Sequence, residues 1–82
     1  MSSIYITETT IDEHSIAIIV DGVIDDNSLP ALKKVCESHL KNGKNVSLNL
    51  RGTQYICREV RDYLRKLKNQ VQFEDLPIFM QL

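Results

Sequence analysis

Apolar positions along the chain change their spacing several times, and each change marks a predicted element. Residues 4–7 are β-branched and aromatic, which favours a strand. Residues 15–20 place apolar side chains on both faces, as in a central strand, and residues 46–50 alternate strictly, as in a strand with one buried face. Residues 77–82 predict a last short strand, because Pro77 fits a first strand position.

Two stretches between the strands have helical spacing. The first helix is expected to begin after a cap at Asn27 or Ser28 and to end before Gly43, with an apolar stripe at positions 29, 32, 35, 36 and 40. The second stripe occupies positions 60, 64, 67 and 71. Residues 51–54 are predicted as a loop before the second helix, and residues 72–76 as a polar connection after it.

The resulting order, β-β-α-β-α-β, predicts a single α/β domain that comprises all 82 residues. Helices that join strands imply parallel pairs with right-handed crossovers. We therefore expect a four-stranded mixed sheet with both helices on one face. The opposite face is then left to solvent or to a partner.

Charge and hydropathy exclude several classes of function. Residues 1–27 hold six acids and no lysine or arginine, whereas residues 28–82 hold ten bases and five acids. A net charge of −1 argues against a nucleic-acid binder, and the charge asymmetry could instead orient a charged partner. The longest apolar run, residues 16–20, has five residues, so we expect no membrane span or signal peptide and a cytoplasmic protein.

Candidate chemistry is sparse. Cys36 and His39 stand three apart on the first predicted helix, but a metal site needs three or four ligands, so we expect no metal. The sequence has no P-loop and no G-x-G-x-x-G motif, so we expect no cofactor. Cys57 precedes the second helix near Arg58, a setting that can activate a thiolate, and a thiol enzyme is therefore one alternative. The cysteine-phosphatase loop is absent, because Tyr63 stands where its arginine would be. We expect a protein without catalytic activity.

Three stretches resemble the STAS domain family of anti-sigma factor antagonists. They are Val-Asp-Gly-Val-Ile-Asp at 20–25, Asn-Ser-Leu-Pro-Ala-Leu at 27–32, and the strand and loop at 46–56. The resemblance implies a bacterial regulatory domain that binds an anti-sigma factor, a kinase or a similar signalling protein. Relatives are phosphorylated on a serine or threonine at the start of the second helix. Arg58 occupies that position here, so the resemblance implies a domain that lacks the phosphorylation switch.

A partner-binding surface is expected where this position meets the loop that follows the second strand. Loops at the carboxyl ends of parallel strands meet at one end of a sheet, which would bring two stretches of sequence together. The residues predicted for this surface are Asp25, Asp26, Asn27, Cys57, Arg58, Glu59, Arg61 and Asp62. A different alternative is a structural subunit or a homodimer that buries the open sheet face or an edge strand.

Overall fold

A computed structural model describes residues 4–74 of the chain. The elements follow one another as β1 (Ile4–Asp12), β2 (Ser15–Ile24), α1 (Leu29–Lys41), β3 (Asn45–Ile56), α2 (Arg58–Lys66), a short 3-10 helix (Leu67–Asn69) and β4 (Val71–Phe73). Within residues 4–74, no helix combines the length and the apolar composition needed to cross a bilayer.

The strands form one mixed sheet in the order β1-β2-β3-β4. β1 and β2 form an antiparallel hairpin, whereas β2 with β3 and β3 with β4 are parallel pairs. α1 makes the first parallel crossover and α2 makes the second. The predicted fold, a four-stranded mixed sheet with two helices in the order β-β-α-β-α-β, is confirmed, although its fourth strand lies at residues other than those predicted.

One hydrophobic core lies between the sheet and the helices. Both helices contribute to the same cluster of buried side chains as the inward positions of β2 and β3, so they cover the same face. The fully buried large members are Ile18, Val20, Ile24, Leu32, Leu48, Leu50, Val60 and Leu64. The core is aliphatic, so it is built from residues whose burial each contributes about 1.5–3 kcal/mol.

The open face of the sheet carries the alternate residues of the same strands. Ala17 and Ile19 on β2 are half-buried there, and Tyr5 on β1 is 73% exposed. Among residues 4–74, no helix covers this face.

β3 is longer than its alternating pattern predicted, and residues 51–54 are part of it rather than a loop. The pairing with β2 shifts register twice, between Ile19 and Asp21 and between Gly22 and Val23. At each shift β3 carries one extra residue, which is a β-bulge, and a bulge breaks the two-residue alternation. Gly52 lies at the first bulge, where a Cβ atom would collide with the Asp21 carboxylate.

The end of the second helix was also predicted wrongly. α2 ends at Lys66, a single 3-10 turn follows, and Val71 begins β4 opposite Val46 instead of extending the helix. Val71 stands four residues after Leu67, so it continues a helical stripe, yet residues 71–73 equally alternate apolar, polar, apolar. Residues 72 and 73 are therefore strand rather than connection, and the strand predicted at 77–82 lies outside the described residues.

The ends of α1 follow the predicted signals. Ser28 is the N-cap residue, and Pro30 lies in the first turn, where its missing N–H removes no helical hydrogen bond. Gly43 has φ +75, and its N–H donates to the Leu40 carbonyl at 3.0 Å. The left-handed residue stops the helix and turns the chain towards β3.

Candidate functional site

The carboxyl ends of β2 and β3 bring the two predicted stretches together. Ile24 and Ile56 are the last register partners of these parallel strands. The Cys57 N–H then donates to the Ile24 carbonyl at 3.0 Å. This hydrogen bond ties the residue before α2 to the residue before the α1 loop. The loop at 25–28 and the start of α2 therefore lie side by side at one end of the sheet.

Ser28 holds the loop before α1 in shape. The Ser28 hydroxyl donates to Asp25 Oδ1 at 3.1 Å, and the Ser28 N–H donates to the same oxygen at 3.0 Å. Ser28 is 1% exposed and Asp25 is half-buried, so these bonds are partly buried. The Asp25 carboxylate is thereby engaged within the loop, while Asp26 and Asn27 are exposed at its tip.

Cys57 forms the junction between β3 and α2 and belongs to the core. Its backbone is extended (φ −73, ψ 167), and its carbonyl accepts the first helical hydrogen bond from the Arg61 N–H at 3.0 Å. Its side chain is a member of the core cluster and is 9% exposed. Little of the Cys57 side chain is therefore accessible to a partner, and the same burial restricts access to the thiol for a substrate.

Helical spacing separates the remaining residues of α2 into two faces. Val60 and Leu64 are fully buried against the sheet. Arg58, Glu59 and Asp62 are exposed on the outer side. The site thus offers fixed charges of both signs on a helix whose inner face is anchored in the core.

Arg61 lies between the two faces. It is half-buried, and its Nε is buried without a hydrogen-bond partner among residues 4–74. Buried polar groups are normally satisfied, because an unmade hydrogen bond costs about 1–3 kcal/mol.

Asp62 and Arg65 form an ion pair on the outer side of α2, in which Asp62 Oδ1 lies 3.7 Å from Arg65 Nη1. Both side chains are more than half exposed, so this pair contributes little to stability.

We define the junction surface as the predicted residues that this arrangement leaves accessible. Two of them, Asp25 and Arg61, are half-buried, and the others are exposed. The members of the junction surface are Asp25, Asp26, Asn27, Arg58, Glu59, Arg61 and Asp62.

Tyr55 adjoins the junction surface and was missed by sequence reasoning. It lies two residues before Cys57, pairs with Val23 across the sheet and is 53% exposed. Exposed aromatic side chains are enriched at the centres of protein interfaces. The sequence does show an aromatic residue directly after the predicted loop. Because residues 51–54 were assigned to that loop, Tyr55 was not recognised as an exposed residue of β3.

The two candidate metal ligands on α1 point to different surroundings. Cys36 is fully buried, and burial, followed by the nearby charge of Glu37, raises the pKa of its thiol to about 11. His39 Nε2 lies 2.5 Å from Glu8 Oε1 and so joins α1 to the edge strand β1. Among residues 4–74, no group of three histidine, cysteine or acidic side chains is arranged to hold a metal ion.

A concave region lies at the other end of the sheet. It has a volume of about 460 Å³ and is lined by strand starts and the turn before β4. Its polar lining is uncharged and includes Ser15, Asn45, Asn69 and Gln70. It shares no residue with the junction surface.

Comparison with known proteins adds no relative from which a function could be transferred. Neither a scan against protein-family models nor a search of curated proteins gives a match. The resemblance to STAS domains therefore remains a prediction from the residues quoted above.

Proposed function

We propose that the chain is a non-catalytic protein–protein interaction domain of bacterial regulation, similar to an anti-sigma factor antagonist and acting in the cytoplasm. Its partner is another protein, of the anti-sigma factor or kinase type that the resemblance implies. The partner docks on the junction surface. The observation that carries the proposal is the hydrogen bond from the Cys57 N–H to the Ile24 carbonyl at 3.0 Å, which makes one surface of two distant stretches.

The junction surface is prepared for binding before a partner arrives. Val60 and Leu64 anchor α2 in the core, and Ser28 fixes the loop through Asp25. Association costs about 0.5–1.5 kcal/mol for each flexible side chain that it immobilises, and ordering a loop adds to this cost. A surface whose backbone is already held by buried contacts avoids part of this cost.

Arg58 makes the proposed interaction permanent rather than switched. It occupies the position at which relatives of the resembled family carry a phosphorylatable serine or threonine, and it is exposed as the first residue of α2. Phosphate at a docked helix start disrupts an interface through charge and desolvation. A guanidinium group cannot accept phosphate from such a kinase. The domain therefore binds its partner without this control.

A matched pair of double variants tests the proposal. The variant Arg58→Ala with Glu59→Ala removes one base and one acid from the junction surface. The control, Lys34→Ala with Glu37→Ala, removes the same charges from exposed positions of α1. Tagged proteins are used for affinity purification from the source cell, and co-purifying proteins are quantified by mass spectrometry.

We expect a protein that is retained by the native chain and by the control but lost from the junction variant. Both variants should give the far-ultraviolet circular dichroism spectrum of the native chain. Equal recovery of every co-purifying protein by the junction variant would refute the junction surface as the docking site.

A further inference from the structure

Among residues 4–74, no strand pairs with the outer side of β1, which forms a long edge of the sheet. It is the outermost strand in the order β1-β2-β3-β4, and it has nine residues, whereas β4 at the other edge has three. Its pairing with β2 is regular from Ile4 to Thr10 and becomes irregular between Thr10 and Asp12. A strand edge of this kind presents backbone donors and acceptors that can pair with another strand.

Edge strands of folded proteins are usually protected, and β1 has little protection. It contains no proline, lysine or arginine. Its mid-strand acid, Glu8, is held against His39 of α1 at 2.5 Å, on the helix side of the sheet. On the open face, Tyr5, Thr7 and Thr9 are exposed β-forming side chains. Such a strand is suited to pair with another chain.

We propose that two copies of the chain associate through antiparallel pairing of β1 with β1. The contact is centred on Thr7 and joins the two four-stranded sheets formed by residues 4–74 into one continuous sheet. This dimer uses residues outside the junction surface, so it is independent of the partner-binding function proposed above.

The register follows from charge and from the limits of the regular strand. In such a dimer the two-fold axis is perpendicular to the sheet, so the helix-covered faces of both sheets lie on the same side. One residue of β1 then lies opposite the same residue of the second copy, and this residue defines the register. With Thr7 at the centre, the regular stretch from Ile4 to Thr10 extends three residues to each side. Thr7 then faces Thr7 of the second copy, Tyr5 faces Thr9, and Ile6 faces Glu8. Aromatic and β-branched cross-strand pairs of this kind stabilise antiparallel strands.

Other registers are less favourable. Centring on Glu8 would place two carboxylates directly opposite each other, and like charges in that position destabilise a strand pair. Centring on Thr9 would bring the Asp12 carboxylate opposite Ile6 and carry the pairing into the irregular part of β1. Centring on Ile6 would leave Thr9 and Thr10 without partners in the regular stretch from Ile4 to Thr10.

Sedimentation equilibrium over a range of protein concentrations tests the dimer. The variants are Thr7→Lys and Thr7→Glu, each at an exposed position, with Gln72→Lys as a control that adds a lysine to an exposed site of the opposite edge strand β4. We expect the native chain and the control to form dimers. Each Thr7 variant should dissociate with a constant raised about tenfold or more, because two like charges then face each other.

An equimolar mixture of the two Thr7 variants completes the test. In the proposed register a lysine faces a glutamate, so the mixture should recover dimers that neither variant forms alone. Circular dichroism of each variant confirms that the monomer is folded, and recovery in the mixture shows the same. A native chain that is monomeric throughout, a Thr7→Lys variant that remains dimeric, or a mixture that stays monomeric would overturn the proposal.

Discussion

The substitution Leu64→Ala tests whether α2 depends on its packing. α2 has only nine residues, and an isolated helix of that length is unstable in water. Two of its side chains, Val60 and Leu64, are fully buried in the core. Alanine keeps the helical propensity of the position, so the substitution removes packing while leaving the local preference of the backbone intact.

The expected loss follows from the burial of Leu64. Its side chain is 0% exposed, and truncation to alanine removes three carbon atoms. At about 0.8 kcal/mol for each buried methylene, the transfer contribution is about 2.4 kcal/mol. The cavity left behind adds to this, so the total falls within the range of about 2–5 kcal/mol. A domain of 82 residues has a free energy of unfolding of about 4–12 kcal/mol, so the variant loses a large share of it.

Urea unfolding followed by circular dichroism measures this loss, and thermal unfolding checks it. A decrease of about 2.4 kcal/mol should lower Tm by about 10–20 °C in a domain of this size. The control is Arg65→Ala, which truncates the exposed neighbour and should change the free energy of unfolding by no more than about 0.5 kcal/mol. A loss below about 1 kcal/mol for Leu64→Ala would refute the packing of α2 against the sheet.

Substitutions at three further positions test the loops and the core. Gly43→Ala should lower the free energy of unfolding by about 1 kcal/mol in urea titrations, because φ is +75 there although no atom lies within 4 Å of the added Cβ; Gly43→Asn should cost less. Ser28→Ala should cost about 1–3 kcal/mol in the same assay, because the Asp25 carboxylate loses the hydroxyl donor at 3.1 Å. Cys36 should react with a thiol reagent at pH 8 only after unfolding, because its pKa is raised to about 11. The pKa of the Cys36 thiol is higher in the folded state than its ordinary value of 9.0, so the buried neutral thiol contributes to the free energy of unfolding below pH 9. This contribution is lost as the pH rises towards 11, and Cys36→Ala should remove this part of the loss of stability at high pH.

Most of the fold could be predicted because each element carries its own periodicity. α1 is bounded by a proline in its first turn and a left-handed glycine after its end, and both signals act locally. The assignments failed where two periods fit the same residues. Val71 satisfies both the helical stripe that includes Leu67 and the alternation of a short strand, and only its pairing with Val46 decides between them.

Bulges explain the other failure. Alternation of apolar and polar residues identifies a strand only while each residue is paired with one residue of the neighbouring strand. The pairing of β3 with β2 breaks this rule at two bulges. The buried positions Leu50, Thr53 and Ile56 are therefore spaced by three rather than two. This spacing resembles a loop that leads into a helix, which is how residues 51–54 were interpreted.

The exposure of individual site residues could not be predicted as well as their proximity. Parallel pairing of β2 with β3 places the loop at 25–28 beside α2, and that neighbourhood follows from strand order alone. Whether a side chain at the junction faces solvent depends on the helical phase of α2. Cys57, Val60 and Leu64 share the buried phase, whereas Arg58 and Asp62 share the exposed one. An apolar stripe that included position 57 would have assigned the cysteine to the core.

Strand order also decides which edge of the domain is open, and no local pattern in the sequence states it. Residues 4–7 and residues 46–50 were both recognised as strands, yet β1 is an edge strand and β3 is internal. β3 is internal because a strand joined to it through a helix lies on each side of it, whereas β1 is connected only through its hairpin with β2. The connection leaves the outer side of β1 without a strand of the described chain. A hairpin at the start of a parallel sheet therefore creates an edge, and this is the edge at which we propose that a second copy pairs.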